Sequence, residues 1–294
     1  MAPGLASRAR VLLVAALLLG GCSAIRIGYN QADTIALWTA NDYFDLEPAQ
    51  RQTFNERFER FHEWHRRTQL PDYVALLGDA RARVERGVTR EDILWVSDTL
   101  KARYRAMVEY TVADMAAILA TVSDEQVDYL QKHFREVNRK FAKENWLNDP
   151  PEKRRKKIAE RFIDRLDHWT GPLSPEQERR ITALYGELPP VAQLRHADRM
   201  RRQKEFVKLL ALRKNTAEFT PKLRHWLLNW EEGRAPEYEK VLSDLVDKNV
   251  EFYLALDRLV TREQRQHVAE RLQKYADAFR ELSQAGKPPS AAAN

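Results

Sequence analysis

The segment "LSPEQ", residues 173–177, carries a complete helix start in five residues. Ser174 stands at the N-cap, where its hydroxyl accepts one of the backbone N–H groups that the first turn leaves without a partner. Gln177, three residues on, reaches back to the N-cap N–H and closes a capping box. Pro175 takes the first helical position, where its missing N–H costs nothing. The pattern recurs along the chain as "LEPAQ" from Leu46, "VSDEQ" from Val122 and "VTREQ" from Val260, with a related "VTRED" from Val88. Val122 with Val127, and Val88 with Ile93, have the spacing of hydrophobic staples. Repeated helix starts of this kind predict an all-α protein.

The segments between these starts have the helical period. Phe54, Phe58, Phe61 and Trp64 make one apolar stripe. Ile158, Phe162, Leu166 and Trp169 make a second. Leu242, Leu245, Val246, Asn249, Val250 and Tyr253 make a third. Apolar residues recurring at three and four mark helices, and no alternating run rich in Val, Ile and Thr marks a strand. Breaks are expected at Leu70-Pro71, Gly87, Asp149-Pro150-Pro151, Gly171-Pro172, Pro189-Pro190, Pro221 and Pro236. The expectation is a multi-helix bundle of about ten helices. "SQAGKPPSAAAN" at the end reads as a polar, disordered tail, placed at 285–294.

The spacing of the helix starts also suggests two tandem helical repeats, 46–141 and 173–279. Each opens with one capping box and carries another before its last helix. Each has a long helix before that second cap, "YRAMVEYTVADMAAILATV" in one and "DLVDKNVEFYLALDRLV" in the other. The segment "NDPPEKRRKKIAERFIDRLDHWTG" reads as the join.

The N-terminus reads as a targeting segment, residues 1–21. Arg8 and Arg10 precede the apolar stretch Val11–Leu19, which is too short to span a bilayer and suits a signal peptide. The stretch ends in Leu19-Gly20-Gly21-Cys22, and Cys22 is the only cysteine of the chain. This ending resembles the lipobox of bacterial lipoproteins. The resemblance implies cleavage before Cys22, a diacylglyceryl group on its thiol and further acylation, by palmitate or a like chain, at its new amino group. Two or three acyl chains hold a protein durably where one does not. Ser23 follows, and the sorting rule of enteric bacteria then implies the outer membrane, with the body, residues 22–284, in the periplasm. With no second cysteine the mature chain has no internal disulfide, so its stability must come from a packed core.

The chain is 44% apolar and 31% charged, with 10 glycines and 13 prolines, which suits a helical protein laced with ion pairs. The net charge is +6 at pH 7. In an envelope protein that excess points to anionic surfaces or acidic clients and leaves no role for nucleic acid.

Four motifs, "YNQAD" at Tyr29, "NDYFDLEPAQ" at Asn41, "WHRRTQLPDY" at Trp64 and "HWTGPLSPEQ" at His168, are similar to signatures of an uncharacterised family of proteobacterial helical lipoproteins. Gln69 stands where that pattern has a glutamate. The resemblance covers the mature chain and implies location and helical fold, with no activity attached. The helix starts also resemble the LTxxQ motif of the small periplasmic chaperones of the Spy and CpxP type. Leu173, Ser174 and Gln177 match best, Glu47 replaces the hydroxyl residue after Leu46, and Val122 and Val260 replace the leucine. Those chaperones are all-helical cradles, so this likeness implies binding of unfolded or assembling envelope proteins.

No constellation for catalysis is present. The chain lacks a G-x-S-x-G elbow, a phosphate-cradling glycine loop and a dinucleotide fingerprint, and its one thiol is assigned to lipid. His62 and His65 share a helical face, but a metal would want a third ligand. The pairs His168-Trp169 and His225-Trp226 read as packing edges. The expectation is therefore no enzyme, no catalytic residue, no metal and no cofactor. One run, Lys153, Arg154, Arg155, Lys156 and Lys157, is a candidate surface for anions, because cations at a helix start oppose the macrodipole. The expected function is chaperone-like binding of envelope proteins by an anchored lipoprotein. The alternative is a structural or envelope-maintenance lipoprotein docking one specific partner.

Overall fold

The computed structural model describes residues 21–285, all helix and connecting turns with no strand among them. All but the last residue of the expected signal peptide and all but the first residue of the expected tail lie outside the described residues. The helices are α1 Gly21–Asn30, α2 Ala32–Phe44, α3 Pro48–Trp64, α4 Leu70–Arg86, α5 Arg90–Leu119, α6 Asp124–Glu144 and α7 Pro151–Thr170. They continue with α8 Pro175–Gly186, α9 Ala192–Leu210, α10 Thr216–Leu228, α11 Pro236–Leu259 and α12 Arg262–Gln284. No single described helix is long and apolar enough to cross a membrane.

Two expected breaks are absent. Between α3 and α4 the chain runs through a π turn, His65–Gln69, in which the Leu70 N–H bonds to the His65 carbonyl five residues back. The wider turn carries the helix past Pro71 instead of ending it. Pro221 lies inside α10. It and Ala217, the residue whose carbonyl loses a donor, are exposed, so water can take that bond. The fully buried Phe219 and Leu223 on either side hold the turn in place.

The capping boxes do more than start helices. In the first pair, Gln50 Oε1 accepts from the Glu47 N–H at 2.9 Å, and Gln126 Oε1 accepts from the Ser123 N–H at 2.9 Å. The two amides also bond each other, at 3.0 and 2.7 Å. Gln50 Nε2 donates on to the Thr121 carbonyl and Gln126 Nε2 to the Asp45 carbonyl, both at 3.1 Å. The second pair repeats this bond for bond. Gln177 and Gln264 cap Ser174 and Thr261 and bond each other at 2.7 and 3.2 Å. Their Nε2 atoms donate to the Leu259 and Pro172 carbonyls, both at 2.8 Å. In both rings the outer acceptor lies five residues before the partner glutamine. Gln50, Gln126 and Gln264 are buried, where an unpaired amide is expensive, so each ring fixes which two helix starts meet.

The helix packing matches in the same way. α2 packs on α3 and α6 as α7 packs on α8 and α12. α3 meets α5 as α8 meets α11. α4 crosses over to α12 as α9 crosses over to α6, and α5 meets α11 between them. The segment expected to be a join is thus α7, the counterpart of α2, and each unit begins one helix before its first capping box. The units exchange helices, so the main core mixes both: Val112, Ala116 and Leu119 of α5 and Leu130 of α6 pack with Leu210 of α9 and Phe219 and Leu223 of α10. A second core joins Ile181 of α8 to Phe252 and Leu256 of α11, under Phe162 and Leu166 of α7.

Candidate functional site

One element breaks the correspondence. α4 and α5 are joined by three residues, Gly87–Thr89, with Gly87 at φ 95° making the tight turn. The corresponding connection, residues 211–235 between α9 and α11, contains α10. α10 lies on α5 and α9 and seals the main core. The Tyr104 hydroxyl donates to the Leu227 carbonyl at 2.8 Å, and Arg224 Nε donates to Glu109 at 2.7 Å. The first unit has nothing to lay in the matching place.

Aligning Gln126 with Gln264 sets Val108, Val112, Val122 and Leu130 opposite Val246, Val250, Val260 and Val268. The first four are buried, the last three of them in the core that α10 covers. The second four line an open groove of about 670 Å³. Ile93, Trp95, Val96 and Leu100 of α5 form its facing wall. Val108 is 5% exposed and its counterpart Val246 50%. Val96, Leu100 and Tyr253 are 40%, 54% and 43% exposed along the same groove. The third apolar stripe is therefore a half-open one. Spacing alone cannot distinguish a stripe that packs inward from one that faces a trough.

The charged groups at the groove are paired within the chain. Asp92, the N3 residue of the "VTRED" box, accepts from the Thr89 N–H at 3.0 Å and from Arg86 at 2.7 Å, and forms an ion pair with Arg83. Arg86 chiefly, together with Thr89 and Arg83, holds this buried carboxyl well below the usual carboxylate range. The Arg83 guanidinium lies 4.1 Å from the Trp95 ring. On the other side Arg265 bonds Asp257 at 2.6 Å and the Val84 carbonyl at 2.8 Å. The result is an apolar trough with neutralised edges.

The motif residues of the first half meet elsewhere. The Tyr29 ring packs at 4.5 Å from His62 and 5.7 Å from His65, with Tyr29 Oη 3.0 Å from His65 Nδ1. Tyr73 closes on His65 from α4, and Arg66 lies over Tyr29. Burial pushes the Tyr29 hydroxyl up to about 12 and the His65 ring down to about 4, and burial followed by the Arg66 charge lowers His62. A stripe of Phe54, Phe58, Phe61 and Trp64 runs alongside, Phe54 stacked on Phe58, Phe58 edge-on to Phe61 and Phe61 tilted against Trp64. Among the described residues no group of three or more His, Cys, Asp or Glu side chains is placed to hold a metal ion.

The basic run divides. Lys153 and Lys157 pair with Asp149, Arg155 with Glu152 and Lys156 with Glu160. Arg154 turns inward and is 6% exposed. Cys22 is the second residue of α1, which packs against α12. His168 meets Arg271, and Trp226 stacks on Phe206 with Arg202 3.9 Å above its ring.

The model of a family of unknown function, DUF6279, matches residues 42–239. The chain belongs to the DUF6279 family. Neither the comparison with curated proteins nor that with solved structures gives a match. The DUF6279 segment takes in the Gln50–Gln126 ring and all of α10, but stops near the start of α11. Val246, Val250, Tyr253 and Gln264 thus lie beyond it, and one wall of the groove comes from outside the DUF6279 match.

Proposed function

We propose that this DUF6279 chain is a non-enzymatic lipoprotein, anchored in the outer membrane through Cys22 and facing the periplasm. It holds envelope proteins in the groove in a chaperone-like way. Its frame is a tandem duplication in which only the second unit kept, or gained, a covering helix. The observation that carries the reading is the trough itself: Val96, Leu100, Val246 and Tyr253 line it exposed, whereas Val108, the counterpart of Val246, is buried. Contiguous exposed apolar surface of this kind marks an interaction site. The occupant is an amphipathic helical segment of an envelope protein. α10 is the template, with Phe219, Leu223 and Leu227 at four-residue spacing. Because the edge arginines are already paired, apolar burial carries the binding and salt has little to screen.

The test is suppression of aggregation of an unrelated denatured protein, without ATP, by the purified chain. Protection should survive 0.5 M salt and be lost with Leu100→Asp and Val246→Asp together. If that variant, folded by circular dichroism, protects as well as the parent, the groove is not the binding surface. The alternative reading, one dedicated partner, is supported by the apolar surface being gathered in one groove of about 670 Å³. It predicts no protection of unrelated proteins.

A further inference from the structure

A second cleft, of about 440 Å³, opens between α7 and the turn that joins α8 to α9. Arg154, Arg155, Arg161 and Arg165 reach it from α7 and Arg195 from α9, and no carboxylate lines it. Its floor is apolar, built on Phe162 and neighbouring rings. The nearest bonds of the buried Arg154 run to main-chain carbonyls, of Leu147 at 3.4 Å and Asp149 at 3.5 Å. Arg161 bonds the Glu144 carbonyl at 3.1 Å and lies 4.8 Å from the Trp146 ring. Among the described residues Arg165 and Arg195 have no ion-pair partner, and both are exposed. Arg161, Arg165 and Arg195 share this lining with Tyr185.

Guanidinium groups brought together over an apolar floor repel one another unless an anion joins them. Their planar forks match phosphate oxygens two at a time. The volume lies within the roughly 300–1,000 Å³ of small-ligand sites. We propose that this cleft binds a phosphate group carried on a ring or an apolar moiety. Arg165 and Arg195 supply the free forks, and the buried Arg154 supplies fixed positive charge behind them. The site shares only Asn249 with the groove and, unlike it, is governed by charge. The phosphate comes from a lipid headgroup or from a soluble phosphomonoester.

The experiment uses the full chain with Cys22→Ser, so that no acyl anchor contributes. One arm titrates glycerol phosphate calorimetrically at low salt. The other floats the protein with phosphatidylcholine vesicles, with and without phosphatidic acid. Binding in the first arm alone assigns a soluble ligand, and binding in the second alone, dependent on phosphatidic acid, assigns a lipid. Binding in both supports the shared phosphate chemistry. Arg165→Gln with Arg195→Gln should weaken whichever binding occurs at least tenfold, as expected for losing charged hydrogen bonds. Lys153→Gln with Lys156→Gln removes the same charge outside the cleft and should change it less than threefold. Equal losses in the two variants, or no binding in either arm at millimolar ligand, overturn the proposal.

Discussion

The two units of this chain share a frame and differ in one helix. On one side α10 covers Val112, Val122 and Leu130. On the other the half-exposed Val246 and the partly buried Val260 and Val268 line an open trough, with the buried Val250 beneath them. The glutamine rings are the same, the crossing helices are the same, and the long helices meet face to face. What differs is a connection, three residues against twenty-five, so the open side follows from chain length rather than from a different core. A fold can thus leave an apolar groove open by omitting a covering element while keeping the apolar positions beneath it.

The sharpest way to break the comparison is to truncate both sides. Phe219→Ala should cost about 3–5 kcal/mol, because the ring is fully buried. Val246→Ala should stay within about 0.5 kcal/mol, because its side chain is half in water already. Denaturant midpoints measure both. A large loss at Val246 would mean that the trough is closed in solution.

Next come the rings. Gln126→Leu strands the Ser123 N–H and the Asp45 carbonyl and should cost about 2–3 kcal/mol. Gln264→Leu does the equivalent to Thr261 and Pro172. Its partner Gln177 is only partly buried, so water can take up some of the loss and the cost should be smaller. Thermal unfolding of the two variants ranks them, and the reverse order would put the stronger clamp in the second unit.

A smaller effect comes from the Tyr29 cluster, which α1 builds against the first unit only. The unfolded chain binds a proton at His65 near pH 6.5, the folded chain only near pH 4. The unfolded state therefore holds more protons between those values, and stability falls as pH drops from about 6.5 to 4 and is flat above. His62, also lowered, adds in the same sense. His65→Gln should flatten part of that slope in melting temperatures taken from pH 7.5 to 4.5. An unchanged slope would remove His65 as its source.

Much of the fold is legible in five-residue stretches. The capping boxes at Ser123, Ser174 and Thr261 form as their residue types require. That the glutamines also bond across 76 and 87 residues is not legible, because a cap is satisfied locally and nothing in the spacing says that two caps touch. Pro71 and Pro221 mislead for a related reason: a proline removes one bond, and a π turn or a solvated carbonyl absorbs that loss. The groove was half-visible. Val246 and Tyr253 lie in a quoted stripe, but their exposure depends on a helix missing from another part of the chain. The basic run shows the converse, since its lysines find carboxylates nearby while the free arginines, Arg165 and Arg195, lie outside it.

The central claim is that the trough is an open counterpart of the α10 seat, and a synthetic peptide of residues 215–229 added to the full chain tests it most directly. Backbone and methyl NMR should place the peptide at Leu100, Val246 and Tyr253. Its affinity should be at least tenfold above that of the same peptide carrying Phe219→Asp and Leu223→Asp. Equal binding of the two peptides, or perturbation confined to other surfaces, would contradict the account.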